Sequence, residues 1–172
     1  DVEHIVIVDG TNHDLASQER RHIINLPINC NDYGDTPRAM GAAFAFGRGA
    51  SLAIFLDADN RLVGNFRQLS HELLSAEADV QICQRLNIDT KSNKRINVPP
   101  QNFWDTSQFV FSKKSISQAL SWVNYPRPLS IIDDRMITHF VKASKLELLC
   151  QNFPIIEYSF TKDKINRLKA KN

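Results

Sequence analysis

The most constraining feature of this chain is the alternation of short apolar runs with segments of helical periodicity. The apolar runs are rich in β-branched residues and end in polar turns, as buried strands do. Between two of the runs, Thr36 and Pro37 form a typical helix start. The alternating order predicts an α/β fold whose sheet is mostly parallel and flanked by helices. The predicted strands of the first half are residues 4–8, 23–28, 52–56 and 80–86, and the predicted helices are 37–46 and 65–76.

The second half of the chain is less regular. Residues 87–102 are polar and end in Pro99 and Pro100, so they are predicted to form a surface loop. Neither half alone carries a convincing core, and residues 1–160 are therefore predicted to form one domain with two lobes. The predicted strands beyond the loop are residues 108–112, 146–149 and 155–158, and the predicted helices are 115–123 and 133–145.

Composition excludes several classes of protein. With 42% apolar residues, 23% charged residues and a net charge of +2, the chain is not intrinsically disordered. Its apolar stretches are far shorter than the roughly 20 residues that cross a bilayer. The three cysteines are distant from one another and show no metal-binding spacing, which favours reduced, buried thiols. The sequence thus predicts a cytoplasmic protein.

Positive charge is concentrated at the C-terminal end. Residues 161–172 carry five basic residues against one acidic residue, whereas residues 1–160 are slightly acidic overall. A slightly acidic body argues against nucleic acid as a partner, because nucleic-acid binding needs a basic face. The basic segment is either a solvated terminal helix or a contact with anionic lipid or a partner, which would place the protein at the periphery of a membrane.

Acidic side chains follow the predicted strands at the end where an open α/β sheet binds its ligands. The sharpest case is Asp57-Ala58-Asp59, which comes directly after the apolar run 52–56. Because alternate residues of an extended turn point the same way, Asp57 and Asp59 can converge on one hard cation such as Mg²⁺, shared with a diphosphate. Alternatively, the two acids form a solvated turn that caps the next helix.

Two further segments are candidates for binding a ligand. Asp9 can accept a hydrogen bond from a base or ribose and Gly10 permits a close backbone approach, although an Asp-Gly turn alone explains both. Gly34 and Arg38 flank a predicted helix start, where free amides and the helix dipole favour an anion. Because arginine is unfavourable in a first helical turn, Arg38 indicates either a ligand or an ion pair with a nearby aspartate.

The helix predicted at residues 133–145 begins with Asp133 and Asp134. Two acids at a helix start are expected from the helix dipole alone. The functional alternative is a general base that takes the proton from an attacking hydroxyl group. Trp104, which follows the polar loop, can stack on a sugar face, but a role in the core is equally open.

Five motifs of this chain, taken in order, resemble the family 2-like glycosyltransferases of the type A fold. They are IVIVDG, NDYGDTPRAMGAAFA, LAIFLDADN, FWDTSQFVFSKKSI and IIDDRMITHF, and the resemblance covers residues 4–145. Members of that family bind a nucleotide-diphospho-sugar on an α/β sheet and hold Mn²⁺ or Mg²⁺ with a DxD motif. The family normally begins with a further strand, so the resemblance predicts an N-terminally truncated form of the type A fold.

The resemblance implies a role for each matching residue. The nucleotide-binding part would lie in residues 1–86 and the acceptor-side part in residues 103–160. The implied site residues are Asp9, Gly10, Gly34, Arg38 and Asp57 for the nucleotide-sugar, Asp57 and Asp59 for the metal, Asp134 with Asp133 for catalysis, and Trp104 and Asp105 for the acceptor.

The leading hypothesis is therefore an inverting glycosyltransferase that acts on a hydroxyl group of a saccharide, a lipid-linked molecule or a protein. The resemblance implies that Asp134 deprotonates this hydroxyl group while the metal stabilises the departing diphosphate. The alternative is a non-catalytic domain that binds a nucleotide or a partner. A nucleotidyltransferase is disfavoured, because no glycine-rich phosphate loop follows the first predicted strand.

Overall fold

The computed structural model describes residues 1–10, 15 and 18–160, so the predicted basic segment 161–172 lies outside the described residues. The strands are β1 (His4–Val8), β2 (Arg21–Asn25), β3 (Leu52–Ile54), β4 (Asn60–Leu62), β5 (Val80–Asp89), β6 (Arg95–Val98), β7 (Phe109–Ser112) and β8 (Leu148–Phe160). The α-helices are α1 (Asp35–Gly47), α2 (Phe66–Ser75), α3 (Ile116–Ala119) and α4 (Asp133–Ala143). Short 3₁₀ helices lie at Thr106–Gln108, Lys113–Ser115, Ser121–Asn124 and Arg127–Ile132. In these described ranges, no helix combines the length and the apolar character that crossing a membrane requires.

The chain divides into two compact units, of which the first comprises Asp1–Ala53 with Phe111–Lys145. β1 and β2 pair in parallel there, and both contain the β-branched residues that suit a strand. α1 packs on β1 and buries alanine and phenylalanine side chains. Both α1 and α4 begin in this unit with acidic residues in the first turn. Its fully buried core includes Trp122, Ile137 and Val141.

The second unit comprises Ile54–Val110 with residues 146–160 of the described chain, and it is built on a mixed sheet. The sheet has six strands in the order β3-β7-β5-β8-β4, with β6 paired to β5. β8 is parallel to β5 and antiparallel to β4, and β5 is antiparallel to β6. The boundaries between the units fall inside β3 and β7. The fully buried core includes Val80, Ile82, Cys83, Phe109 and Ile155.

The predicted sheet, mostly parallel and flanked by helices, is wrong, and with it the predicted type A arrangement in its truncated form. The larger sheet is mixed and mostly antiparallel, and the parallel pair β1–β2 is a small sheet of its own. One cause lies in residues 87–102, predicted to be a loop. Ile88, Ile96 and Val98 alternate there with polar residues, so the stretch forms a hairpin of β5 and β6. An antiparallel neighbour needs only a short turn, whereas a parallel one needs a long crossover.

Two other predictions change in the C-terminal half. Residues 146–149 and 155–158 were predicted as separate strands, but β8 runs through both, with an irregular register where Pro154 faces Gln84. This irregularity fits a proline, which cannot donate to the ladder. The predicted helix 115–123 is only α3 followed by a 3₁₀ segment, whereas the helix predicted at 133–145 is confirmed as α4.

Candidate functional site

Hydrogen bonds from residues 29 and 30 hold the Asp9-Gly10 turn at the end of β1. The Asp9 Oδ1 atom accepts a hydrogen bond of 2.8 Å from the backbone N–H of Cys30, and the Asn29 side chain donates to the Asp9 carbonyl oxygen at 3.4 Å. Gly10 has a φ of +76°, and an added Cβ would lie 2.1 Å from the Asn29 nitrogen. The close approach at Gly10 is thus made by the Asn29 backbone, and contact of Asp9 and Gly10 with a nucleotide stays a prediction.

Gly10→Ala is expected to destabilise the protein by about 2–3 kcal/mol, because the new side chain meets backbone atoms and the backbone is left-handed there. Urea unfolding followed by circular dichroism measures this loss. Gly47→Ala is the matched control, since an added Cβ at Gly47 meets nothing within 4 Å and alanine favours a helix. Equal stability of the two variants would argue against the turn described here.

A left-handed turn leads into α1, and the side chain of Asp32 hydrogen-bonds the start of that helix. Tyr33 and Gly34 have φ values of +56° and +94°. The Asp32 carboxylate accepts hydrogen bonds from the backbone N–H groups of Gly34 and Thr36, at 3.2 and 2.9 Å. Burial acts to raise the pKa of Asp32, but hydrogen bonds from Thr36 and Gly34 outweigh it and lower the pKa. Thr36 is therefore not the N-cap as predicted: Gly34 occupies that position, and the Asp32 carboxylate binds N–H groups at the helix start, where Gly34 was predicted to bind a nucleotide.

Arg38, in the first turns of α1, lies between two buried carboxyl groups. Its Nη1 atom is 3.5 Å from Asp35 Oδ1 and 3.4 Å from Asp133 Oδ2, and it donates to the carbonyl oxygen of Tyr33 at 3.1 Å. The guanidinium carbon is 5.2 Å from the ring centre of Trp122, which makes a cation–π contact. Of the two explanations for this arginine, the ion pair is the one that the described residues provide, and a nucleotide contact is untested.

The two carboxyl groups beside Arg38 lie where charge is disfavoured. The side chains of Asp35 and Asp133 are only 2% and 11% exposed. Burial is the largest cause that raises the pKa of Asp133 to about 7. The hydrogen bond that a protonated Asp133 can donate to Asp35, and the charge of Asp35, raise it further, while the Asp134 backbone and Arg38 act in the opposite direction. One arginine thus faces two acids, and a proton shared between them would remove one of their two negative charges.

The start of α4 carries the two acids that the sequence identifies as catalytic candidates. Asp133 Oδ1 accepts a hydrogen bond of 2.7 Å from the Asp134 backbone N–H, which fixes its carboxyl group at the first turn. Asp134 is half-buried, and its carbonyl oxygen accepts a hydrogen bond of 2.7 Å from the Thr138 hydroxyl group. A base that works near neutral pH needs a pKa near the working pH, and Asp133 meets this requirement.

Asp57 and Asp59 lie in a tight turn between β3 and β4. The Asn60 backbone N–H donates to the Asp57 carbonyl oxygen at 3.0 Å, which closes the turn. Asp57 is half-buried and Asp59 is exposed, while Oδ1 of Asn60 is buried without a hydrogen-bond partner among the described residues. Across the described parts of the chain, no group of three or more His, Cys, Asp or Glu side chains could hold a metal. Metal binding by Asp57 and Asp59 stays a prediction.

The segment that resembles the acceptor side is held by its own contacts. Trp104 is 7% exposed, and its ring meets the Phe109 ring edge-on at a centroid distance of 5.7 Å. Asp105 caps the 3₁₀ helix Thr106–Gln108 and forms an ion pair with Arg85. The burial of Trp104 supports the core role that the sequence left open, and an acceptor contact of Trp104 and Asp105 remains a prediction.

Two features of these regions were missed in the sequence. Asp35 looks like an ordinary first-turn acid, and no local pattern indicates that a second carboxyl group lies near it. Phe103 is 47% exposed and lines an open cavity of about 590 Å³ with Gln101 and Asn102. The available signal for this second feature was an aromatic residue directly after the polar run 87–102.

Comparison with known proteins gives this chain no family. A scan against models of protein families finds no match, and a search of curated proteins finds no matching sequence. What the chain does is therefore inferred from its own residues and from the five ordered motifs.

Proposed function

We propose that this chain is a glycosyltransferase, or the catalytic part of one, that moves a sugar from a nucleotide-diphospho-sugar to an acceptor hydroxyl group. The observation that carries the proposal is the meeting of Asp35 and Asp133 around Arg38. Asp133 is a buried carboxyl group with a pKa raised to about 7, and it lies next to Asp134, the residue that the resemblance implies as the catalytic base. A cytoplasmic location and an acceptor on a saccharide, a lipid-linked molecule or a protein belong to the same proposal.

The acids at the start of α4 supply the proton acceptor in this reaction. The acceptor hydroxyl group gives its proton to a carboxylate oxygen while its own oxygen bonds to the anomeric carbon of the sugar. The bond from that carbon to the diphosphate breaks, and its electron pair leaves with the diphosphate, so the configuration inverts. Asp133 suits this step near neutral pH, and Asp134 stands beside it as a second carboxylate.

The turn between β3 and β4 is the part of the proposal that concerns a metal. Asp57 and Asp59 would hold Mn²⁺ or Mg²⁺ together with the donor's diphosphate, and the bound cation would neutralise charge on that leaving group. The exposure of Asp59 and the unpartnered oxygen of Asn60 support this role among the described residues. The residues proposed to lie beside the nucleotide are Asp9, Gly10, Gly34 and Arg38.

A nucleoside diphosphate is expected to stabilise the protein in a manner that depends on Mn²⁺. At 100 times its dissociation constant, it should add about 2.7 kcal/mol to the free energy of unfolding. Thermal unfolding with a panel of nucleoside diphosphates, each with and without Mn²⁺, measures this gain. Asp59→Ala should remove most of the Mn²⁺-dependent part because a metal ligand is lost. Glu77→Ala, which removes another exposed acid of the same unit, should leave it intact.

The outcomes separate the proposal from its alternative. Unchanged Mn²⁺-dependent binding by Asp59→Ala, for every nucleoside diphosphate in the panel, would refute the metal role. If the wild-type protein binds a nucleoside diphosphate but neither hydrolyses nor transfers any nucleotide sugar, the chain is a non-catalytic binding domain.

A further inference from the structure

Asp35 is a buried acid whose surroundings satisfy it poorly. The residue is 1% exposed, and neither carboxyl oxygen has a hydrogen-bond partner among the described residues. Arg38 Nη1 lies 3.5 Å away, which is long for a hydrogen bond. A buried carboxylate in this state is costly, so the site favours any arrangement that brings Asp35 a donor.

A proton on Asp133 provides that donor. Asp133 faces the same Arg38 nitrogen at 3.4 Å and is nearly as buried as Asp35. With both acids ionised, two negative charges compete for one guanidinium group. With one proton between them, the pair carries a single charge and gains an internal hydrogen bond, as coupled carboxyl groups do elsewhere.

We propose that Asp35 is a positioning residue for Asp133: the two carboxyl groups share one proton, and by stabilising that proton Asp35 sets the pH above which Asp133 has lost it and can accept a proton from a substrate. This inference rests on the proposed function for its consequence in catalysis. The shared proton itself is a property of the protein without substrate, so the two ideas can fail separately. In this proposal, Arg38 neutralises the remaining negative charge of the pair and holds the two carboxyl groups near each other.

Further titratable side chains lie on the segments that adjoin Asp133 in the chain and on the elements packed against α4. Apart from the acid pair they are Arg38, Tyr125, the half-buried Asp134, and the exposed Arg127, Arg135 and His139, while α3 carries none. Burial raises the pKa of Tyr125, and the charges of Asp35 and Asp133 raise it further, although a hydrogen bond with Ser121 lowers it. Tyr125 therefore stays neutral in this range, and His139 is distinguished from a carboxyl group by its resonance.

Carbon-13 NMR of the aspartate carboxyl groups, in the protein without substrate, tests the inference. One wild-type resonance is expected to titrate at about pH 7 and to disappear in Asp133→Asn. Asp35→Asn should lower this midpoint by about one pH unit or more, because the like charge is gone. Asp35→Glu keeps the acid and should hold the midpoint near the wild-type value. Asp32→Asn, which removes a neighbouring acid but keeps a hydrogen-bond acceptor at the helix start, should leave it unchanged.

The possible results are decisive in both directions. A midpoint that does not move in a folded Asp35→Asn variant would overturn the inference. So would a wild-type protein in which no carboxyl group titrates above about pH 5, a result that requires no variant to fold. If sugar is transferred with a pH profile that Asp35→Asn does not shift, the inference fails and the function stands. If the carboxyl groups share a proton but the protein transfers no sugar, the inference is supported and the proposed function is refuted.

Discussion

Asp133→Asn is expected to lower the rate of sugar transfer by about 100-fold to 10,000-fold, because an amide cannot take the proton of the acceptor hydroxyl group. Asparagine keeps the size of the side chain and can still accept the hydrogen bond from the Asp134 backbone N–H. The loss therefore isolates the proton-accepting role from the structural one. The measurement is the release of nucleoside diphosphate with donor and acceptor present. A variant that transfers sugar at the wild-type rate would exclude Asp133 as the base.

The same substitution, Asp133→Asn, is expected to raise the free energy of unfolding at high pH. The pKa of Asp133 is raised from its ordinary value of 3.8 to about 7 in the folded protein, so its stabilising protonation is complete below the lower value and lost as the pH rises through the upper one. Asp133→Asn cannot ionise and is expected to be more stable than the wild-type protein above about pH 7. Glu19→Gln, an exposed acid of the same unit, is the control and should change neither readout.

Arg38→Met is expected to destabilise the protein by about 3–5 kcal/mol, because it leaves two buried acids without their positive partner. The Arg38 side chain is only 16% exposed, so water replaces little of the lost interaction. The loss should be largest above about pH 7, where Asp133 is ionised, and should shrink at lower pH as Asp133 takes up a proton. Urea unfolding at a series of pH values measures both the size and the sign of this dependence.

Arg48→Met is the matched control for this second variant. Arg48 follows the end of the same helix, is 46% exposed and pairs with Glu3 at the surface. Water screens an exposed ion pair, so the control should lose little stability. The buried arrangement around Arg38 is ruled out if both variants lose the same amount, or if the Arg38→Met loss grows as the pH falls.

Much of the local structure follows from patterns in the sequence. Isoleucine and valine fill β1, and an alanine-rich stretch after Pro37 makes α1, so both elements could be predicted. The hairpin of β5 and β6 could not, because its polar residues and the prolines that follow are typical of a loop. β4 has only three residues and depends on β8 for its hydrogen bonds, so no local sequence pattern predicts it.

The site could be predicted only in part, because packing decides which helix starts meet. The local sequence identifies an aspartate as one partner of Arg38 and makes Asp133 the first residue of a helix. The contact between Arg38 and Asp133 joins positions 95 residues apart, and it depends on how the elements of this unit pack around Trp122. The role of Trp104 is similarly decided by its contact with Phe109, not by the residues next to it.

The pH dependence of sugar transfer tests the central claim most directly, because it reports on the group that accepts the proton. If Asp133 is the base, kcat/KM should rise with pH and reach half of its plateau at about pH 7. That rise should be absent from the residual activity of Asp133→Asn. A profile that is flat across this range, or one that is identical in Asp133→Asn, would contradict the assignment of Asp133 as the proton acceptor.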